Sequence, residues 1–168
     1  GLTRVVLDAS RCGVPQKRKR FFMIGRLGSE DDFLEHSLLS DQDDHNMTIR
    51  EYLGDEFDTE FYYRHPRSYA RRGIFSIDEP SPTVRGVNRP IPATYQIHPG
   101  DATDDLSRVR PLTTLERARI QTFPREFTFE GSKTDLEQII GNAVPVELAA
   151  YVGRHLLDYM NDCLVEDL

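Results

Sequence analysis

The chain has 168 residues, of which 38% are hydrophobic, so it can bury one sizeable core with a small appended lobe. No apolar run approaches the ~20 residues of a membrane span and no signal-peptide segment opens the chain, which predicts a cytoplasmic protein without membrane contact. Cys12 and Cys163 are isolated and the histidines show no metal-ligand spacing with them, which argues against a disulfide framework and against a metal site.

The formal net charge of −7 hides strong segregation along the chain. Residues 4–26 carry seven Lys/Arg against one Asp, residues 28–60 carry twelve Asp/Glu against one Arg, and residues 61–90 carry six Arg against two acids. Aromatic residues, Tyr69 among them, are interleaved with the arginines of the third segment. Because local patches decide which surface meets a polyanion, the net charge does not exclude nucleic acid as a partner.

Two short β-branched and aliphatic runs, residues 3–7 and 21–25, predict two strands joined by a basic turn. The connection contains Gly13-Val14-Pro15-Gln16-Lys17-Arg18-Lys19-Arg20. Pro15 favours extended geometry before it, so we expect the basic run to enter a strand in which Gln16, Arg18 and Arg20 share one face. Arginine forks bind phosphates and base edges through paired donors, which makes this face suitable for a nucleic acid. On charge alone, a basic surface strand or a localisation run remains the alternative.

The middle of the chain predicts little regular structure. Residues 29–46 are polar and acidic, which indicates a solvent-exposed loop with a helical piece near residues 33–39. Thr48 and Glu51 have capping-box spacing and Gly54 supplies a stop, so one short helix is expected there. Prolines recur through residues 61–103, which favours short strands and ordered loops with outward-pointing side chains, or else a surface insertion without a specific role.

Three helices are expected in the last third of the chain. Thr113 and Glu116 form a second capping box, which predicts a helix ending at Thr122. Its expected buried side contains Leu112, Leu115, Ala118 and Phe123. Ser132 caps a second helix that should stop at Gly141. Pro145 fits the first turn of a last helix, in which apolar residues recur at helical spacing as far as Cys163.

Three segments together resemble one family, the DNA cytosine-5 methyltransferases. The core Gly13-Val14-Pro15-Gln16-x-Arg18-x-Arg20 looks like the eighth motif of that family. Residues 110–124, Arg-Pro-Leu-Thr-Thr-Leu-Glu-Arg-Ala-Arg-Ile-Gln-Thr-Phe-Pro, look like the ninth motif, and residues 141–145, Gly-Asn-Ala-Val-Pro, look like the tenth. Their order, with a proline- and arginine-rich segment between them, matches the family's target-recognition region, and the resemblance covers nearly the whole chain.

The resemblance implies an α/β fold, made of the C-terminal part of a methyltransferase catalytic domain plus a small, irregular, mostly β target-recognition domain. Residues 1–27 would belong to the catalytic domain and residues 28–109 would form the recognition region. Residues 110–168 would return to the catalytic domain.

The resemblance also implies a reaction, the transfer of a methyl group from S-adenosylmethionine to C5 of a cytosine flipped out of double-stranded DNA. Arg20 would hold the flipped cytosine, with Arg18 and Gln16 aiding the pocket and nearby phosphates. The residues that border the cofactor would be Asn142, Ala143 and Val144. The arginines that bind DNA would be Arg64, Arg67, Arg71, Arg72, Arg85 and Arg89. The scaffold residues would be Glu116 and Arg119, whose alternative role is a helix cap and an ion pair.

Three family signatures are absent from the chain, namely Pro-Cys, Phe-x-Gly-x-Gly and Glu-Asn. We therefore expect the nucleophilic cysteine and most of the cofactor pocket to lie in an N-terminal half or a complementary subunit, and this chain alone to be inactive. Cys12 is expected to be a small packed side chain. The alternative is a non-catalytic DNA-binding or regulatory module derived from the same fold.

Overall fold

An antiparallel pair of strands opens the fold. The computed structural model describes residues 1–68 and 70–166, so Tyr69 lies outside the described residues. Strand β1 (Leu2–Asp8) pairs with β3 (Lys19–Gly25), with Val6 opposite Phe21. Val5 and Leu7 are buried whereas Val6 and Phe21 are exposed, so one face of the pair meets a core. The two strands predicted from the sequence are confirmed.

The connection between these strands reaches across to the middle of the chain. After a 3₁₀ turn (Ala9–Arg11) and Gly13, which has a φ of +77°, the short strand β2 (Gln16–Lys17) pairs in parallel with β6 (Ser81–Pro82). The N–H of Ser81 also donates to the carbonyl of Pro15 over 2.9 Å. The basic run is thereby joined directly to the proline-rich segment.

Two helices cover the inner face of the first strand pair. Helix α1 (Glu35–Ser40) confirms the predicted helical piece, but the expectation of a solvent-exposed loop is wrong for Leu34 and Leu38, which are buried. Both leucines belong to the core beneath β1 and the last helix, α5 (Val146–Glu166). The Tyr151 hydroxyl of α5 donates to the carbonyl of Leu38 over 2.9 Å. Apolar burial thus overrides the acidic composition of this segment.

A three-stranded sheet forms the frame of the middle segment. Strand β4 (Phe61–Tyr63) lies between β5 (Ile74–Ser76), to which it is antiparallel, and β7 (Val109–Pro111), to which it is parallel. Helix α2 (Ile49–Leu53) precedes the sheet. Its capping box is present as expected, and Gly54 is its C-cap. Short strands and ordered loops are therefore confirmed for this segment.

Helix α3 (Thr114–Ile120) has the expected capping box but ends before Thr122. Thr122 has a φ of +60°, in the left-handed region that ends a right-handed helix. Leu112 and Ala118 are buried, but the expectation for Leu115 is wrong, because its side chain is 60% exposed. Arg117 takes the inward position instead, where it pairs with Glu137.

Helix α4 (Lys133–Asn142) begins at the predicted cap, where Ser132 and Asp135 form a capping box. The expected stop at Gly141 is wrong, because the helix continues through it to Asn142. A Cβ added at Gly141 would lie 2.2 Å from the nitrogen of Gly86. The glycine therefore permits two backbones to touch and does not terminate the helix.

Two main clusters of buried residues divide the molecule. The first holds β1 against α1 and α5, and the second joins α2, the three-stranded sheet, α3 and α4. Packing thus groups residues from both sides of the boundaries expected after residues 27 and 109, and those boundaries stay a prediction. Within residues 1–68 and 70–166, no helix is both long and apolar enough to cross a membrane.

Candidate nucleic-acid interface

A basic cleft lies where the N-terminal basic run meets the middle segment. Its volume is about 450 Å³, and Pro66, Phe75, Pro80 and Pro82 contribute apolar walls. The cationic residues that line it are Lys17, Arg64, Arg67, Arg71, Arg72 and Arg85. So many cations around one concavity favour the binding of a polyanion.

Three of these arginines are held by the protein itself. Arg72 forms an ion pair with Glu79, and its guanidinium carbon lies 4.3 Å from the ring centroid of Phe75. Arg64 donates from Nη2 to the carbonyl of Thr83 over 2.8 Å, and burial lowers its pKa to about 10. Arg85 donates to a backbone carbonyl, that of His65. These three side chains are each anchored to another part of the protein, and they shape the cleft.

Three other arginines remain free for a ligand. Arg67, Arg71 and Arg89 are exposed, and their side chains make no hydrogen bond or ion pair within the described part of the chain. Arg67 and Arg71 line the cleft, whereas Arg89 is not among its walls. The pKa of Arg85 is lowered first by burial and then by repulsion from Arg67 and Arg89, so the positive charges crowd one another. An anion bound here would relieve that repulsion.

A second depression adjoins the cleft. It has a volume of about 330 Å³ and is lined by Pro66, Arg71, Thr94, Tyr95 and Gln96. Pro66 and Arg71 belong to both concavities. Thr94 and Gln96 are exposed on either side of the half-buried Tyr95.

A single carboxylate fixes the loop that carries these side chains. Asp101 accepts hydrogen bonds from the Tyr95 hydroxyl (2.7 Å) and from the backbone N–H groups of Gly73, Ile74 and His98 (2.9, 2.9 and 2.8 Å). Burial acts to raise the pKa of Asp101, but these donors outweigh it and lower the pKa. The loop therefore presents Thr94 and Gln96 from a rigid support.

The side of the basic run that we expected to meet nucleic acid is largely buried in the protein. Gln16 and Arg18 are buried, Arg20 is half-buried, and Lys17 and Lys19 are exposed, which agrees with alternation along a strand. The shared side of Gln16 and Arg18 points into the protein, and the side chain that lines the cleft is that of Lys17. Reasoning from the sequence missed Lys17, Thr94 and Gln96. The strand alternation is the signal that could have singled out Lys17.

Gln16 and Arg18 take part in a buried hydrogen-bond network. Arg18 donates from Nη1 to the carbonyl of Val84 and from Nη2 to the carbonyl of Gly141, each over 3.0 Å. The Oε1 atom of Gln16 accepts from the Val84 N–H (2.9 Å), and its Nε2 atom donates to Oε1 of Gln121 (2.7 Å). By contrast, Arg20 donates from Nη1 to the adjacent carbonyl of Lys19 over 2.9 Å. Arg20 therefore lies outside the buried hydrogen-bond network of Gln16 and Arg18.

The end of α4 carries the residues expected at the cofactor. Asn142 and Val144 are exposed, and Ala143 is half-buried with its carbonyl 3.3 Å from Nε2 of Gln121. The Asn142 side-chain amide makes no hydrogen bond within residues 1–68 and 70–166, and such an amide next to an apolar side chain suits one edge of a nucleoside. These residues fit an edge of such a site and do not by themselves enclose it.

The two expected scaffold residues do not pair with each other. Glu116 accepts from Nη1 and Nη2 of Arg110 over 2.8 and 2.6 Å, and it also closes the capping box with Thr113. Arg119 donates to the carbonyls of the loop after α3, including that of Phe123 over 2.9 Å. Glu116 thus ties α3 to β7, and Arg119 closes the end of α3.

The described part of the chain combines a mixed α/β fold with a basic cleft whose charge suits a polyanion. The family described as C-5 cytosine-specific DNA methylase matches residues 1–158, and the chain belongs to this family. Enzymes of the family take the methyl group from S-adenosylmethionine. The mixed α/β class expected from the sequence is confirmed.

Two relatives extend over nearly the whole chain. It is 60% identical over 160 residues to the Type II methyltransferase M.HindV of Haemophilus influenzae and 56% identical over 168 residues to the Type II methyltransferase M.HgiDI of Herpetosiphon aurantiacus. These matches cover 95% and 99% of this chain but 53% and 54% of the relatives, so the chain spans about half of their length.

A solved structure, that of the S. pombe Dnmt2 methyltransferase, has a similar fold. Its TM-score is 0.56 at 18% identity, over 96% of this chain and 58% of that chain.

Proposed function

We propose that this chain supplies the DNA-recognition part and one wall of the active site of a DNA (cytosine-5-)-methyltransferase. The observation that carries the proposal is the basic cleft, in which the exposed Arg67 and Arg71 and the exposed Lys17 face the same concavity. Lys17 comes from the segment that resembles the eighth motif, and the two arginines come from the recognition segment. A duplex in this cleft would touch both parts at once.

The cleft arginines have two different roles in this proposal. Arg67 and Arg71 contact DNA, because their side-chain donors have no partner within the described residues, and Arg89, which lies outside the cleft, contacts another phosphate. Arg64, Arg72 and Arg85, which we expected to bind DNA, act by holding the cleft in shape. Thr94 and Gln96 are uncharged and beside Arg71, which suits contact with base edges more than with phosphates.

The residues around the reacting base have separate roles. Arg20 holds the flipped cytosine, since the residue is half-buried and the partner of its side chain within the described residues is one neighbouring carbonyl. The exposed Asn142 borders the cofactor, with Ala143 and Val144 beside it. When bound, S-adenosylmethionine supplies the methyl group.

The remaining half of the active site is proposed to lie outside this chain. Val6, Phe21 and Met23 are 56–62% exposed on the outer face of the β1–β3 pair. Leu157 and Met160 of α5 are also exposed. We propose that a part equivalent to the half of the relatives that this chain does not span packs on these surfaces. That part would carry the nucleophilic cysteine and most of the cofactor pocket.

A complementation assay tests the proposal. The chain is incubated with duplex DNA and labelled S-adenosylmethionine, alone and together with the portion of M.HindV that it does not match. We expect no methyl transfer by the chain alone and measurable transfer by the mixture. Turnover by the isolated chain would refute the division of labour. Duplex binding by the chain without turnover in any mixture would favour a non-catalytic DNA-binding module.

A further inference from the structure

Four segments that are distant in sequence are joined by the buried side chains of Arg18 and Gln16. Arg18 itself lies in the basic run. Its acceptors are the carbonyl of Val84, which follows β6, and the carbonyl of Gly141, at the end of α4. Gln16 links the same Val84 to Gln121, which follows α3. The side chain of Arg18 is 3% exposed, so solvent and DNA have almost no access to it.

The backbone contact beside Arg18 is unusually close. Gly86 and Gly141 touch so closely that a Cβ on Gly141 would lie 2.2 Å from the Gly86 nitrogen. Between Val84 and Gly86, the carbonyl of Arg85 accepts a hydrogen bond from Arg117 of α3. Residues 84–86 are therefore held from three directions, by the basic run, by α3 and by α4.

An arginine is well suited to this position. The planar guanidinium presents several donors in a fixed fork, which lets Nη1 and Nη2 reach two different carbonyls at once. Within the described residues it has no carboxylate partner, and burial together with repulsion from Arg20 lowers its pKa to about 10. The guanidinium of Arg18 is directed at two uncharged backbone carbonyls, so the geometry of its donors matters here more than its charge.

We propose that Arg18 is a positioning residue that makes no contact with DNA. Its two hydrogen bonds fix Val84, which lies between the cleft residues Thr83 and Arg85, relative to the end of α4, where Asn142 lies. The proposal replaces the expected role of Arg18 and Gln16 in the base pocket and at phosphates. This role rests on the proposed function only in one respect, namely that Arg85 lies on the side of the DNA and Asn142 on the side of the cofactor.

Amide hydrogen exchange and duplex binding of the 168-residue chain test this role. The variant is Arg18→Lys, which keeps the positive charge but loses the fork. Its matched control is Arg67→Ala, which removes an exposed arginine from the cleft. Far-UV circular dichroism first establishes that both variants are folded.

For Arg18→Lys we expect amide exchange at Val84 to be at least tenfold faster and the Gly86 and Asn142 amide resonances to shift together. The amides of the β1–β3 pair should keep their protection. The slope of log affinity against log salt concentration should equal that of the unsubstituted chain. In Arg67→Ala the slope should instead fall by about 1, with the Val84 amide unchanged.

Three outcomes would overturn the proposal. If Arg18→Lys left the Val84, Gly86 and Asn142 amides unchanged, Arg18 would not position these segments. If Arg18→Met lowered the salt slope by about 1 without affecting those amides, Arg18 would be a DNA contact. A loss of protection throughout the chain, including β1–β3, would make Arg18 an ordinary stabilising residue. If the unsubstituted chain did not bind duplex DNA, the proposed function would fail, and the exchange data would still decide the role of Arg18.

Discussion

Replacing Gly141 by alanine should destabilise the protein even though alanine is the better helix former. Gly141 lies within α4, where the exchange for alanine alone would stabilise a helix by up to about 1 kcal/mol. The new Cβ would lie 2.2 Å from the nitrogen of Gly86 and 2.4 Å from the carbonyl carbon of Arg85. Both are backbone atoms, so the clash cannot be relieved by rotating a side chain.

The expected magnitude follows from two losses and one gain. Forcing a closely packed contact apart costs about 1–3 kcal/mol. Separating α4 from residues 84–86 also strains the hydrogen bond from Arg18 to the Gly141 carbonyl, and a bond to a charged donor contributes about 1.5–3 kcal/mol. After the helix gain is subtracted, the free energy of unfolding should fall by about 2–5 kcal/mol.

A second helical glycine supplies the matched control. Gly153 lies within α5, and a Cβ built on it meets no heavy atom within 4 Å. Gly153→Ala should therefore raise the free energy of unfolding by about 0.5–1 kcal/mol. The two identical substitutions are expected to have opposite signs.

Urea and thermal denaturation of the 168-residue chain, followed by far-UV circular dichroism, measure both effects. For a chain of this size 1 kcal/mol corresponds to about 2–4 °C in Tm, so Gly141→Ala should lower Tm by at least about 4 °C. If Gly141→Ala were as stable as the unsubstituted chain, α4 would not touch residues 84–86. A destabilising Gly153→Ala would show that the difference does not arise from the contact at Gly86.

Three further predictions concern the reassembled enzyme and the chain alone. Arg20→Ala should lower turnover in the complemented enzyme while duplex affinity is largely retained, because its donors act on the base only after flipping; a loss of duplex binding would contradict this. Arg71→Ala should reduce the salt slope of duplex binding by about 1, or lower discrimination at one base position, whereas a fall in Tm as its main effect would contradict a DNA contact. Burial acts to raise the pKa of Glu116, but hydrogen bonds from Arg110 and Thr113 outweigh it and lower the pKa below the ordinary value of 4.5. A depressed pKa contributes stability above that value that is lost on acidification, so the stability difference between the unsubstituted chain and Glu116→Gln should shrink below about pH 4.5 in urea titrations.

Helix starts could be predicted from the sequence because their causes are local. The side chains of Thr48, Thr113 and Ser132 each cap a helix through a residue three positions away. The fate of Leu115 could not be predicted in this way, because it depends on the ion pair of Arg117 with Glu137, twenty positions further along the chain. The same is true of Gly141, whose role depends on the distant Gly86.

The candidate site could be predicted as a set of residue types but not as an arrangement. Alternation correctly indicated that Gln16 and Arg18 lie on one side of the chain. Which side faces the protein depends on β6, a partner far away in sequence, so Lys17 was missed. The sequence could not divide the recognition arginines into residues that face a ligand and residues that hold the cleft in shape. The acceptors of Arg64 and Arg85 are backbone carbonyls whose direction is set by the fold.

The contacts of residues 84–86 with the basic run and with α4 limit which substitutions can change DNA specificity alone. Residues 84–86 are fixed to the basic run and to α4, and the hydrogen bonds of Arg64 with Thr83 and of Arg85 with His65 join the same stretch to the segment after β4. Within the described residues, no hydrogen bond or ion pair joins Gln96 itself to residues 83–86, to Arg18 or to Asn142, and the loop of Gln96 is held by Asp101. We expect Gln96→Ala to alter site preference in the complemented enzyme while amide exchange at Val84 stays as it is. Faster exchange at Val84 in that variant would show that the loop of Gln96 and residues 84–86 move together.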